Sequence, residues 1–207
     1  MQRPHIITLS GKPGSGKSST ADKVAELLGY TRYSSGELVR RVLKKHGISL
    51  ADFNARAKQD HSLDQEIDEE LRRLRKEKDI VIDARLGFYW IPESFKVYLE
   101  LDTDVAIARI YKDAVENLNR GSEVSLSGSI HDIQTQVLQR MHDEQTRFRN
   151  LYGIDPYDTS NFDLVINTAR HSPQTVALTI FDNYKKWLTS DTWHRVTNQV
   201  PAGYSMT

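Results

Sequence analysis

Gly11-Lys12-Pro13-Gly14-Ser15-Gly16-Lys17-Ser18 satisfies G-x-x-x-x-G-K-[S/T] at every fixed position, and its flanks decide the fold. Before it, His5-Ile6-Ile7-Thr8-Leu9 has the β-branched, apolar composition of a strand. After it, Ser19–Leu28 reads as a helix, with Ala21, Val24, Ala25 and Leu28 on one stripe. A phosphate group needs several donors at short range. Glycines let main-chain N–H groups converge on it with no Cβ in the way, and the following helix adds the positive end of its dipole. Gly11, Pro13, Gly14, Ser15, Gly16, Lys17, Ser18 and Ser19 are therefore expected to cradle a triphosphate, with Lys17 at its terminal phosphates and the Ser18 hydroxyl on Mg²⁺.

Working outward, strands and helices alternate. Strands are expected at Tyr30–Ser34, Asp79–Asp83, Phe95–Leu101 and Phe162–Asn167, and helices at Glu37–His46, from Ser49, at Leu63–Lys78, Thr103–Leu118, His131–Leu151 and Ser172–Leu188. Gly29 and Gly47 read as helix stops. Ser49 with Asp52, and Ser62 with Gln65, read as capping signals, and Ser172-Pro173 opens the last helix. Such alternation implies an α/β fold in three layers, a parallel sheet of about five strands covered on both faces. One domain is expected over 1–189, with insertions at about 36–78 and 117–150 over the carboxyl ends of the strands, where ligands of open α/β sheets bind. Residues 190–207 are polar and read as a partly disordered tail.

The chain has 207 residues with 28 basic and 28 acidic side chains, so no net charge favours a nucleic acid or an anionic membrane. Cysteine is absent, which excludes disulfides and thiolate metal sites, and the seven histidines show no ligand spacing. Without an apolar run of membrane length or room for a signal peptide before the first strand, a cytoplasmic monomer is expected.

A phosphate loop alone does not separate GTPase, motor and kinase. Asp83-Ala84-Arg85-Leu86-Gly87 is not D-x-x-G, and Asn167-Thr168-Ala169-Arg170 is not N-K-x-D. Ser19 stands where G-x-G-x-x-G requires its third glycine, which leaves a dinucleotide fold poorly supported. The recurring feature is arginine beyond strand ends. Asp83 closes its strand where an acid can hold metal-bound water, and Arg85 lies two residues on. Arg40 is in the first turns of the helix opened by Ser35-Gly36, and Arg140, Glu144 and Arg147 share a face of the long helix. In-line phosphoryl transfer needs positive charge at several points around a spreading negative one, with water excluded. On spacing alone, arginine at a position such as Arg40 more often belongs to a solvated helix face, and Arg140–Glu144–Arg147 more often to an ion-pair ladder.

Ile7–Ser18, Ser35-Gly36-Glu37-Leu38-Val39-Arg40 and Asp83–Gly87, with Leu151-Tyr152-Gly153-Ile154-Asp155 and Phe162–Thr168, resemble the nucleoside monophosphate kinases, most closely the short cytidylate kinases typical of archaea. The resemblance implies ATP and Mg²⁺ as cofactors and a nucleoside monophosphate, CMP or dCMP, as acceptor. It implies that Ser35, Gly36, Arg40 and Arg85 hold the acceptor, that Asp83 orients magnesium through water, and that Arg140 and Arg147 close over the transferring group. Ala84 stands where such kinases carry glycine, and Asp113 and Gln145 where arginine is common. Asp60 and Asp64 are candidates to accept from an exocyclic amino group of the base. Another small acceptor, such as a hydroxyl metabolite, and a nucleotide-dependent binding module without transfer are the alternatives.

Overall fold

β1 (Ile6–Gly11) is buried along its whole length, and the sheet is built outward from it. The computed structural model describes residues 3–49, 52–53, 61–116 and 129–197. Among them β1 joins β2 (Thr31–Ser34), β3 (Ile80–Asp83), β4 (Phe95–Glu100), β5 (Leu164–Asn167) and β6 (Val196–Thr197) in one six-stranded sheet, ordered β2-β3-β1-β4-β5-β6. Every pairing is parallel. The helices are α1 (Lys17–Leu28), α2 (Ser35–His46), α3 (Ser62–Arg73), α4 (Gly87–Trp90), α5 (Thr103–Glu116), α6 (Ile130–Tyr152) and α7 (Pro173–Thr189).

Alternation along the strands sorts the core into two faces. Ile7, Leu9, Val81, Val97 and Leu99 pack with Ala21 and Val24 of α1 and Val176, Ile180 and Tyr184 of α7. Ile6, Ile80 and Ile82 point the other way, to Leu38 and Val42 of α2 and Ile67 and Leu71 of α3. Each such fully buried aliphatic side chain contributes roughly 1.5–3 kcal/mol. Farther along that second face, Tyr98 and Val165 meet Phe88 of α4 and Phe148 of α6. Because both faces are covered, the strands read as continuous apolar runs.

The register gathers the chemistry at one edge of the sheet. Leu9 and Ser34 are both opposite Asp83, and Gly11 is opposite Leu99. Thus the phosphate loop, the start of α2 and the turn after β3 leave the sheet side by side.

Several local expectations need adjusting. The sheet has a sixth strand where a polar tail is expected. Trp193 packs edge-on against Phe95 and donates from Nε1 to Asp163 O (3.3 Å), and Val196 N donates to the same oxygen (3.0 Å). A two-residue strand leaves no periodicity to read. α4 is likewise too short for a pattern. The Leu63–Lys78 helix stops at Arg73 and tightens into a 3₁₀ turn, Leu74–Lys76. Ser62 is its first residue rather than its cap; His61 precedes it with no capping side chain. α2 begins at Ser35 rather than Glu37, and Ser34 caps it, accepting from Glu37 N. The stops at Gly29 and Gly47 are present, both with left-handed backbone. No helix among the described residues is long and apolar enough to cross a membrane.

Candidate active site

Three positive-φ glycines shape the loop after β1. A Cβ on Gly11 (φ 149°) would lie 2.4 Å from Leu99 O, and one on Gly14 (φ 73°) 2.8 Å from Ala106 O. Gly16 (φ 83°) precedes α1 and offers no capping side chain, and no acidic residue stands in the first turn. The first-turn N–H groups are therefore open to an anion. The Ser15 hydroxyl is buried with no partner among the described residues. An uncapped helix start and an orphaned donor in a cradle that only glycine can line fit a bound phosphate chain. Pro13 is buried, whereas Ser18 and Ser19 are exposed at the helix start.

Lys17 Nζ donates to Lys12 O (3.1 Å) across the loop. Burial, then the charge of Arg85, pull its ammonium down to about 7, against a smaller upward pull from Asp83 and Glu144. Ser18 Oγ donates to Asp83 Oδ2 at 2.7 Å. Hydroxyl and buried carboxylate thus stand together as hard oxygen donors, the chemistry that suits Mg²⁺ shared with phosphate oxygens and water. Among the described residues no cluster of three or more His, Asp or Glu side chains could hold a metal alone. Ser18 and Asp83 would hold the ion, and the ion would supply charge neutralisation on the phosphates.

The turn after β3 is tied down by Ser10 Oγ, which donates to Arg85 O (3.0 Å). From it Arg85 sends Nη1 to Gly11 O and Nε to Glu144 Oε2 (2.8 Å) on α6. Arg140 Nε donates to Glu144 Oε1 (3.0 Å), and Tyr157 OH to Glu144 Oε2 (2.9 Å). Burial opposes both charges of the central pair, but the attraction between them prevails: Glu144 is held well below the carboxylate range and Arg85 is raised.

The structure therefore brings together Lys17, Ser18, Asp83, Arg85 and Arg140. Arg40 is exposed on α2, its guanidinium beside Gly36, with no ion pair among the described residues. Ser35 is the first residue of the same helix. Arg147 does not join Arg140. Its Nε is 3.8 Å from Asp64 Oδ1, and its guanidinium lies over the rings of Phe148 and Phe53. Asp64 is buried on α3 one turn from Asp68, which burial raises and which accepts a hydrogen bond from Tyr152 OH. Asp60 lies outside the described residues.

Some residues escaped sequence reading. Arg32 on β2 reaches Asp22 (3.2 Å), Glu37 (3.4 Å) and Asp83 (3.5 Å). Thr168, in the Asn167-Thr168 pair, donates to Ser15 O and Glu100 O (both 3.2 Å), tying the end of β5 to the phosphate loop. Arg109 on α5 donates to Thr168 O (2.6 Å) and Ala169 O (3.1 Å). Together with Gly14, Gly16, His171 and Pro173, these two residues line a cavity of about 280 Å³ against the loop. Thr168 directly follows β5 and lies in the Phe162–Thr168 stretch, which was the available cue, whereas Arg109 sits inside α5, where spacing alone does not distinguish it from a surface position.

A parallel sheet, a glycine-lined cradle leading into α1, and a hydroxyl–carboxylate pair beside it define a P-loop nucleotide-binding protein. The chain belongs to the cytidylate kinase-like family, whose profile matches residues 6–170. It is 33% identical over 167 residues to a cytidylate kinase of Haloquadratum walsbyi, covering 80% of this chain and 81% of that one. It is 35% identical over 182 residues to an S-adenosylmethionine-dependent nucleotide dehydratase of Lacinutrix mariniflava, matching 87% of this chain but only 36% of that protein's length. Among solved structures, a shikimate kinase from Bacteroides thetaiotaomicron superposes with a TM-score of 0.60, covering 87% of this chain and 98% of that one. At 11% identity that likeness shows the fold alone.

Proposed function

We propose that the protein transfers the γ-phosphoryl group of Mg·ATP to a nucleoside monophosphate, with CMP or dCMP as the acceptor. The observation that carries the proposal is the convergence of Lys17, Arg85 and Arg140 beside the Ser18–Asp83 pair. An oxygen of the acceptor phosphate attacks the γ-phosphorus, the bond to the β–γ bridging oxygen breaks, and ADP leaves with its electrons. The acceptor is already anionic near neutral pH and needs no strong base, so positioning and charge stabilisation supply the rate. Lys17 neutralises the transferred group, while Arg85, assisted by Arg40 and the start of α2, holds the acceptor phosphate. Arg140 closes over both. The cavity beside Arg109 and Pro173 takes the ATP base.

Support for the cytosine preference comes from Asp64 and Arg147, a buried acceptor facing a donor. Cytosine offers an amino group to the first and ring acceptors to the second, whereas uracil would leave the carboxylate facing a carbonyl. Residues 36–78 and 117–150 act as the acceptor-binding insertion and the lid, and their closure excludes water.

A panel of CMP, dCMP, UMP, AMP, GMP and shikimate with Mg·ATP, read by chromatography of the products, tests the proposal. CMP or dCMP should exceed UMP in kcat/KM by about tenfold or more. Phosphorylation of shikimate alone, or ATP binding without transfer to any monophosphate, overturns it.

A further inference from the structure

Glu144 joins two parts of the molecule that are otherwise only neighbours. Arg85 and Arg140 arrive from the core turn after β3 and from α6, and one carboxylate accepts from both, at 2.8 and 3.0 Å. The side chains of Arg85 and Glu144 are each only 13% exposed. An Arg140–Glu144 pair spaced i,i+4 on an open helix would contribute little by itself and would need no third partner. Helix stability does not call for a bond to a guanidinium 59 residues away.

The carboxylate also accepts from a third donor, at the same Oε2 that takes Arg85. Gly153 ends α6 with left-handed backbone (φ 70°), and the chain folds back over the last turns. Asp155 fixes that return: it accepts from Tyr157 N (2.9 Å), Gln145 Nε2 (2.6 Å) and Arg149 Nη2 (2.7 Å). Tyr157 is thereby placed with its hydroxyl on Glu144 Oε2 (2.9 Å). The Tyr152-Gly153-Ile154-Asp155 stretch thus has a mechanical consequence. It brings a third donor to Glu144.

We infer that Glu144 is a positioning residue that holds the Arg85 and Arg140 guanidiniums in register with the phosphate loop, with Tyr157 as a third donor to its carboxylate. It rests on the transfer function proposed above. Arg85 has five N–H donors. One goes to Glu144 and one to Gly11 O, which orients the plane and leaves three for an anion. Removal of Glu144 leaves the charge of Arg85 in place but lets it turn, and misplacement by about 1 Å is enough to cost on the order of a hundredfold in rate.

Glu144→Gln keeps the shape and removes the charge. In steady-state assays with Mg·ATP and CMP, kcat should fall by about thirtyfold or more, while the ATP dissociation constant measured without acceptor stays within about twofold. Tyr157→Phe should move kcat in the same direction by about threefold. In ¹⁵N-resolved spectra the Arg85 Nε–H, assigned with Arg85→Lys, should exchange slowly in the wild type and rapidly in Glu144→Gln. Unchanged kcat, or a protected Arg85 Nε–H in Glu144→Gln, overturns the inference. So does a parallel loss of kcat, ATP affinity and melting temperature, which marks Glu144 as structural support. If the wild type phosphorylates no monophosphate, the proposed function fails, and Arg85 exchange alone then decides whether Glu144 holds it.

Discussion

At pH 8, binding of Mg·ATP should take up close to one proton, and Lys17 is the group that takes it. In the ligand-free protein burial and the neighbouring Arg85 bring its ammonium from 10.5 down to about 7. With that value, roughly one molecule in eleven carries the charge at pH 8 and about half do at pH 7. A triphosphate against Nζ favours the cation and draws the group back toward its ordinary value. Uptake should therefore be about 0.9 proton per nucleotide at pH 8, about 0.5 at pH 7 and about 0.1 at pH 6. Titration calorimetry in two buffers of different ionisation enthalpy reads this number directly. Lys17→Arg, which stays charged, should bind more weakly with almost no uptake. Stability carries the same signature. Because the folded value lies below the unfolded one, the unfolded chain holds more protons between about pH 7 and 10.5, so ligand-free stability rises with pH across that window and is lost as pH falls through about 7. Uptake below about 0.2 proton at pH 8, or equal uptake in Lys17→Arg, would refute the burial of Lys17 as the cause.

Gly11→Ala forces a Cβ to within 2.4 Å of Leu99 O at a backbone angle that side chains rarely adopt. A loss of about 3 kcal/mol in urea unfolding is expected, and a loss under about 1 kcal/mol would show that the strand end gives way freely. Trp193→Ala removes the ring packed on Phe95 and the bond to Asp163 O that pin β6, for about 2 kcal/mol by the same measurement. Asp64→Asn turns a buried acceptor into a group that can also donate. The CMP:UMP ratio of kcat/KM should drop by about tenfold with kcat for CMP less affected, and an unchanged ratio would remove Asp64 from base recognition.

Features with a local cause were legible in the sequence. The phosphate loop is a run of adjacent residues whose backbone conformation only glycine permits. The order of strands and helices follows from apolar period, and Gly29, Gly47 and Ser172-Pro173 end or begin helices through bonds within a few residues. Asp83 was legible too, because it ends an apolar run. The short elements were not: α4 and β6 have too few residues to show a period, and each is held by packing on distant chain.

What the sequence by itself determined is the cradle, the parallel α/β order and the chemical kind of side chain at each strand end, since these depend on contacts within one element. Only the tertiary structure decided which cation meets which anion. Spacing put Arg140, Glu144 and Arg147 on one helix face, and the Arg140–Glu144 pair forms as spacing allows, but the fold adds Arg85 to Glu144 and sends Arg147 to Asp64. The energy of an ion pair depends on separation and burial, and both are set by how the helices lie over the sheet rather than by position along the chain.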